Sequence, residues 1–420
     1  MNPVRTVLPN GAVVTAKETR TIPAVTINLA MRAGSICDPL DLPGLMFLLA
    51  RTIDRGTQTR SAADIAEALD SRGSTLTIAV TRHLLTLSCT CLSEEFDEVF
   101  ALMGDIMMSP SFPDSELATR KAEVVTAIRQ DEDNPAVRAV EALMASLYPG
   151  HPYGRRTKGT IDVVERVSPE RLARVHAERF APGGLSAVVV GDVPSQQVDR
   201  AAARVFGGWQ TNAPPPSELP PIVPQRQRQR LVISMPSKAQ ADIAYGFVAV
   251  KRTDPSYEAC AVMNNVLGQY SMGGRLGDSI RERQGMAYYT YSSLDANVAE
   301  GPLTVRAGIS PVNVDRALAS IDAEISRFAS DGVDAKELSE SQRYLIGSMP
   351  RALETNAGIA VFLQTAEFFG LGLDYDQRLP DLLRAVTVDD VNAAARRILD
   401  TDRASVVIAG PYEESRSVVI

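Results

Sequence analysis

A chain of 420 residues is long enough for two or three domains with full cores, and its 45% apolar content reads as globular rather than disordered. With 43 basic residues against 51 acidic ones the net charge is −8, which argues against a nucleic-acid partner. No apolar run approaches the ~20 residues that cross a bilayer, so no membrane span is expected.

The first residues lack a basic segment followed by an apolar one. A cytoplasmic location is therefore expected, or a periplasmic one if a leader has been removed. Residues 12–18 and 24–31 read as strands, the second with Val25, Ile27, Leu29 and Met31 on one face. Asp41-Leu42-Pro43 opens a helix to about Arg55, with Asp41 as its cap and Gly56 as its stop. A helix at 61–70 and strands at 75–80 and 84–91 follow, then helices at 94–108, 114–130, 136–147 and 169–180 and a strand at 185–190. Six of the eleven residues from Pro214 to Pro224 are proline, a stiff extended spacer. The chain accordingly divides into a first domain at 1–210, a linker at 211–228 and a second domain at 229–420.

Beyond the linker the same order returns. Strands are expected at 230–234, 241–250, 287–294, 302–309 and 404–409, and helices at 257–267, 275–283, 314–330, 334–348, 355–371 and 388–399. Val167-Ser168-Pro169-Glu170 leads through a helix to a strand ending at Gly191, and Val386-Thr387-Val388-Asp389 leads to one ending at Gly410. The interval is 24 residues in both cases. Each copy begins with a Ser or Thr cap and an acid in the first turn. A repeat of about 220 residues is too long for a solenoid and indicates two duplicated domains. Hairpin-like strand pairs beside grouped helices give an α+β fold: two domains of about 200 residues, each a mostly antiparallel sheet with helices packed on one face.

Cys37, Cys89, Cys91 and Cys260 show no metal-site spacing, and Cys89 and Cys91 share one face of a strand, as small buried apolar residues do. The three histidines, His83, His151 and His176, lie too far apart for H-E-x-x-H or H-x-x-E-H. His176-Ala177-Glu178 reads as a structural pair on a surface helix. No metal site is expected in this chain.

The stretch Arg281 to Ser293, R-E-R-Q-G-M-A-Y-Y-T-Y-S-S, joins a helix to a strand through Gly285. Arg281 near the helix end and Tyr288 at the strand start can aim a guanidinium and a phenol at one point, offering donors to a carbonyl or an oxyanion. Each also has an ordinary reading: the Arg answers the helix dipole and the Tyr packs.

Several motifs occur in order along nearly the whole chain: Leu8-Pro9-Asn10-Gly11, Arg32-Ala33-Gly34-Ser35, Gly44-Leu45, Arg55-Gly56-Thr57, Glu132-Asp133-Asn134-Pro135, His151-Pro152-Tyr153-Gly154, Arg252-Thr253-Asp254-Pro255 and Arg281 to Ser293. Together they resemble the pitrilysin/insulinase family of zinc peptidases, which includes the mitochondrial processing peptidases. Catalytic members carry H-x-x-E-H between the Gly-Leu and Gly-Thr brackets. The resemblance places Phe47, Ala50 and Arg51 at those His, Glu and His positions, and Ala127 (Thr126 if the register slips by one) at the third ligand. Phe and Ala cannot bind Zn²⁺ and Arg repels it.

Arg281 and Tyr288 match the pair that the family's C-terminal domain extends to substrate at the other domain's zinc. In some bacterial members the zinc motif and this pair reside on two different chains. The resemblance thus implies a zinc-free subunit of a heteromeric metallopeptidase. It implies a sister chain with H-x-x-E-H that supplies the zinc, a peptide substrate bound at Arg281 and Tyr288, and for the isolated chain a homodimer as one available state. It also likens Gly273 and Gly274 to a shortened substrate-contacting glycine loop, for which a plain turn is the simpler account.

Lesser features carry structural expectations. Tyr289 and Tyr291 lie on the strand face opposite Tyr288 and are assigned to the core. Tyr153 packs. Lys238 and Gln240 resemble a family pattern but serve equally as caps. Arg51 is expected to pair with an acid such as Asp54. A non-proteolytic scaffold subunit is the alternative reading. A free-standing hydrolase finds no G-x-S-x-G and no Cys/His pair to support it.

Overall fold

A computed structural model describes residues 2–211, 218–269 and 274–413. It has two compact units, each drawing on separated stretches of the sequence. The first comprises Met1–Ile128, Arg156–Glu218 and Pro350–Tyr375; the second comprises Arg129–Arg155, Leu219–Met349 and Asp376–Ile420.

The first unit holds a six-stranded sheet of β1 (Val4–Val7), β2 (Val13–Glu18), β3 (Ala24–Met31), β4 (Thr75–Val80), β5 (Leu85–Leu92) and β6 (Leu185–Gly191). Their order is β1-β2-β6-β3-β5-β4, antiparallel except for β2 beside β6. The second unit holds β7 (Gln229–Ser234), β8 (Ala241–Val248), β9 (Ala287–Leu294), β10 (Pro302–Ile309) and β11 (Ser405–Gly410), in the order β7-β11-β8-β10-β9. Again one pair, β7 with β11, is parallel. The second order reproduces β2-β6-β3-β5-β4, so the duplication is one of topology as well as sequence.

The matching glycines show why the repeat is kept. Gly191 and Gly410 end β6 and β11 at φ +152° and +142°. A side chain on Gly191 would run into the Ala24 carbonyl, and one on Gly410 into the Ala241 backbone. The helices that feed these strands are capped as expected, Ser168 accepting from Arg171 N–H and Thr387 from Asp390 N–H.

In the first unit one sheet face meets a large apolar core built with helices such as Phe96–Met108 and Ser195–Phe206. The other face is covered by a single helix, Asn356–Phe369, whose Ala360 and Leu363 pack on Val188 and Val190 of β6. β6 is therefore buried on both sides. The second unit follows the same plan. There the single helix is Pro135–Leu147, which lies on β8 and β11. Gly246 makes room for it: an added Cβ would sit 3.0 Å from Leu143 and 3.1 Å from Leu147.

Each sheet thus takes its second-face helix from the sequence half that builds the other sheet. The division at 1–210 and 229–420 separates these helices from the strands they cover. Within the linker stretch, 218–228 forms no helix or strand, and 212–217 lies outside the described residues.

Three helices were not anticipated: Ile161–Arg166, Ser195–Phe206 and Tyr375–Ala385. The third contains Pro380, which reads as a breaker, and the first is too short to show a period. The exposed edge strand β1 likewise has no buried alternation to announce it.

The first long helix spans Leu45–Thr52, not 41–55. Asp41 does not cap it. Its N-cap is Gly44 at φ +93°, and the orphan N–H groups of Gly44 and Met46 donate to the buried Asp38 carboxylate at 2.8 and 2.7 Å.

Candidate functional site

The positions that the resemblance assigns to zinc ligands all lie in the first unit. Phe47, Ala50 and Arg51 lie on helix Leu45–Thr52, with Ala50 buried and Phe47 packed partly against the core. Arg51 reaches helix Asp114–Glu132, where its Nη2 stands 3.4 Å from Glu123 Oε2. Asp54 pairs instead with Arg55 at 3.1 Å, so the expected Arg51–Asp54 pair gives way to a contact between two helices. Ala127 lies one turn beyond Glu123, and the hydroxyl of Thr126 is spent on the Ala122 carbonyl at 2.8 Å. A zinc site needs three His, Cys or carboxylate ligands. These positions offer an aromatic ring, two methyl groups and a cation, which do not fit the ion. Among the described residues no group of three or more His, Cys, Asp and Glu is placed to hold a metal.

The histidines have structural surroundings. His83 and His151 are buried, and His151 Nδ1 accepts from Tyr153 N–H at 3.0 Å. His176 is not on an open surface. Its ring stacks on Phe180 at 4.2 Å, its Nε2 donates to the Met107 carbonyl at 2.9 Å, and burial holds its pKa down at about 4. Tyr153 packs, 1% exposed, with its hydroxyl accepting from Ala299 N–H at 3.1 Å. All four cysteines are buried thiols.

Arg281 and Tyr288 belong to the second unit. Arg281 sits in the last turn of a π-helical segment, Gly277–Glu282, in which Arg283 N–H reaches back five residues to the Asp278 carbonyl. Gly285, left-handed at φ +61°, closes it: its N–H donates to the Arg281 carbonyl at 3.0 Å, and Met286 N–H donates to Ile280 at 3.1 Å. Buried Met286 and Ile280 anchor the turn from below. The Arg281 side chain is half-exposed, with its Nε 3.5 Å from Glu282 Oε1. Gly274 is buried and its carbonyl accepts from Asp278 N–H at 3.0 Å, the behaviour of a helix-opening turn; Gly273 lies outside the described residues.

Tyr288 is 69% exposed. Along β9, Thr290 and Ser292 are buried, and simple alternation would put Tyr288 with them. The register against β10 breaks at this point: Gly308 faces Tyr289, and Ile309 faces Ala287. Tyr288 is the extra residue of a β-bulge on an edge strand, and the bulge turns its ring out to solvent. Tyr289 and Tyr291 are not core residues as expected. Both are half-buried, Tyr291 beneath the Arg306 guanidinium and Tyr289 with its hydroxyl donating to Asp242. Burial and that hydrogen bond push the Tyr289 phenol pKa up.

Beside them lies a cleft of about 480 Å³ lined by residues including Asp133, Lys238, Gln240 and Asp242. Lys238 Nζ pairs with Asp133 at 2.6 Å, and Gln240 Nε2 donates to Asp242 at 3.2 Å. Asp242 and Tyr289 form a pair that the sequence does not reveal, because the two residues are brought together only across β8, β10 and β9.

Residues 13–161 match the profile described as Insulinase (Peptidase family M16), and residues 166–345 match the one described as Peptidase M16 inactive domain. The chain belongs to the M16 peptidase family. It is 24% identical to an uncharacterized zinc protease of Streptomyces coelicolor over 98% of this chain and 90% of that protein. It is 23% identical to the non-peptidase homolog YmxG of Helicobacter pylori, over 90% of this chain and 86% of the relative. The crystal structure of a peptidase M16 inactive domain from Pseudomonas fluorescens superposes with a TM-score of 0.92, covering 98% of each chain at 24% identity. The M16 fold therefore runs through the described chain.

Proposed function

We propose that this M16 chain is the zinc-free subunit of a two-chain peptidase, and that Arg281 and Tyr288 are its contribution to peptide cleavage. The carrying observation is Tyr288: a phenol held 69% exposed by a bulge contributes little to packing, so the ordinary account of a strand tyrosine does not apply. The exchanged ligand positions at Phe47, Ala50, Arg51 and Ala127 support the other half of the reading, since zinc then has to come from a sister chain with H-x-x-E-H. That partner supplies the Lewis acid and the carboxylate base. In this chain Tyr288 donates its O–H to the scissile carbonyl oxygen as charge develops there, and Arg281 holds a neighbouring peptide carbonyl.

The test is peptide cleavage by this chain alone, with zinc, and mixed with an H-x-x-E-H sister chain. Cleavage is expected only in the mixture. Tyr288→Phe should lower kcat about a hundredfold, as loss of one oxyanion donor commonly does. Arg281→Ala should raise KM. The urea midpoint of Tyr288→Phe should stay at the parent value. Activity of the chain alone overturns the two-chain reading.

A scaffold subunit is the second reading, favoured by the Helicobacter relative's designation as a non-peptidase homolog. It is indicated if the mixture forms a complex but Arg281 and Tyr288 substitutions leave cleavage unchanged.

A further inference from the structure

The first unit contains a cavity of about 1050 Å³ for which the proposed peptide chemistry has no use. Its wall is built by the start of the chain, the residue after β3, the turn leading into β6, the stretch after helix Ser195–Phe206, and the end of helix Asn356–Phe369. Arg5, Arg32 and Arg179 line it against a single acid, Glu367. That acid is already committed: Arg5 Nε and Nη2 donate to its two oxygens at 2.8 and 2.9 Å, a bidentate pair.

Arg32 and Arg179 have no carboxylate partner among the described residues. The Arg32 guanidinium lies 5.2 Å from the centre of the Phe368 ring, with Nη2 3.4 Å from the Phe368 carbonyl. Arg179 ends helix Pro169–Arg179, and its Nε is shut off from solvent without an acceptor. The ring beneath one and the helix end beneath the other account for where the two cations sit, but neither supplies an anion. In a chain of net charge −8, two unneutralised guanidinium groups on one cavity wall are unusual. An oxyanion would answer both, because guanidinium donors match two carboxylate or phosphate oxygens. Trp209 and Phe368 add aromatic surface to the same wall.

We propose that this cavity binds a small organic anion, a carboxylate or phosphate on a flat apolar body. Arg32 and Arg179 take the charged end, and Trp209 and Phe368 take the body. The lining is divided about evenly between polar and apolar surface, and a concave site that sets a few charged groups beside aromatic surface suits a ligand with a charged end and an apolar body. The proposal is independent of the two-chain peptidase reading.

Trp209 is the chain's single tryptophan, so its fluorescence reports on this wall alone. The full chain is titrated with phenyl phosphate, phenylacetate and benzyl alcohol. A saturable change with one or both anions, and none with the alcohol over the same range, is expected; the tighter anion identifies the charged group. The Arg32→Gln/Arg179→Gln double variant should bind at least about tenfold more weakly. Gly183→Glu provides a second variant that tests the cavity without removing any contact. Gly183 lines the cavity, needs no left-handed backbone, and a Cβ there meets nothing within 4 Å. It too should weaken anion binding, with circular dichroism and the urea midpoint unchanged. The proposal is overturned if neither anion gives a saturable change, if benzyl alcohol binds as well as they do, or if folded Gly183→Glu and the double variant bind like the parent.

Discussion

Tyr288 shows how one inserted residue changes the role of a side chain. Period-two alternation places it on the face of Thr290 and Ser292, both buried. The bulge opposite Gly308 and Ile309 reverses that placement. Gly308 is small because the Tyr289 ring and the Gln240 amide occupy the space a Cβ would need, which fixes the strand immediately beside the bulge. His176 is a second residue whose surroundings decide its behaviour. Burial keeps its imidazole neutral, with a pKa of about 4 against an ordinary 6.5. The unfolded chain binds a proton there at its ordinary pKa and the folded chain does not. The stability from the neutral ring is therefore complete above pH 6.5 and is lost as pH falls toward 4. The loss amounts to roughly 3 kcal/mol over that window. Urea midpoints measured across it should fall steeply for the parent and much less for His176→Gln, whose amide keeps a donor for the Met107 carbonyl.

At the scale of the element, the helix that carries Phe47, Ala50 and Arg51 begins in an unusual way. A side-chain cap read from sequence is the residue immediately before the first turn, which pointed to Asp41. The cap is instead Asp38, further back along the chain and folded under the helix start so that its carboxylate takes two N–H groups at once. Asp38 is 6% exposed, so removing it leaves both donors buried and unanswered. Asp38→Ala should cost about 3 kcal/mol, and Asp38→Asn, which keeps one acceptor oxygen, about half that. Equilibrium urea unfolding of the two variants tests the ratio as well as the size. By contrast the caps at Ser168 and Thr387 were legible, because there the capping residue is the one just before the helix.

For the whole molecule, the consequence of the crossed helices is that neither half of the sequence carries a complete sheet cover. Residues 1–210 retain Val188 and Val190 but lose Ala360 and Leu363, and residues 229–420 lose helix Pro135–Leu147 from β8 and β11. A face stripped of its helix exposes apolar side chains that were fully buried. Each fragment expressed alone should bind a hydrophobic dye and unfold without a cooperative transition, whereas the full chain should unfold cooperatively. Cooperative unfolding of either isolated fragment, with native near-ultraviolet circular dichroism, would contradict this.

The sequence by itself determined the duplication and the α+β class, and it set Phe47, Ala50, Arg51 and Ala127 where the resemblance expects zinc ligands. These rest on local spacing and residue chemistry: a repeated cap-helix-strand interval, alternation along strands, and side chains that cannot coordinate a metal. Only the tertiary structure decided which half of the chain covers each sheet, that Tyr288 faces solvent, that Arg51 meets Glu123, and that Arg32 and Arg179 share a cavity wall. Each of those depends on residues far apart in sequence meeting across strands or helices, and no local period records which partners will meet.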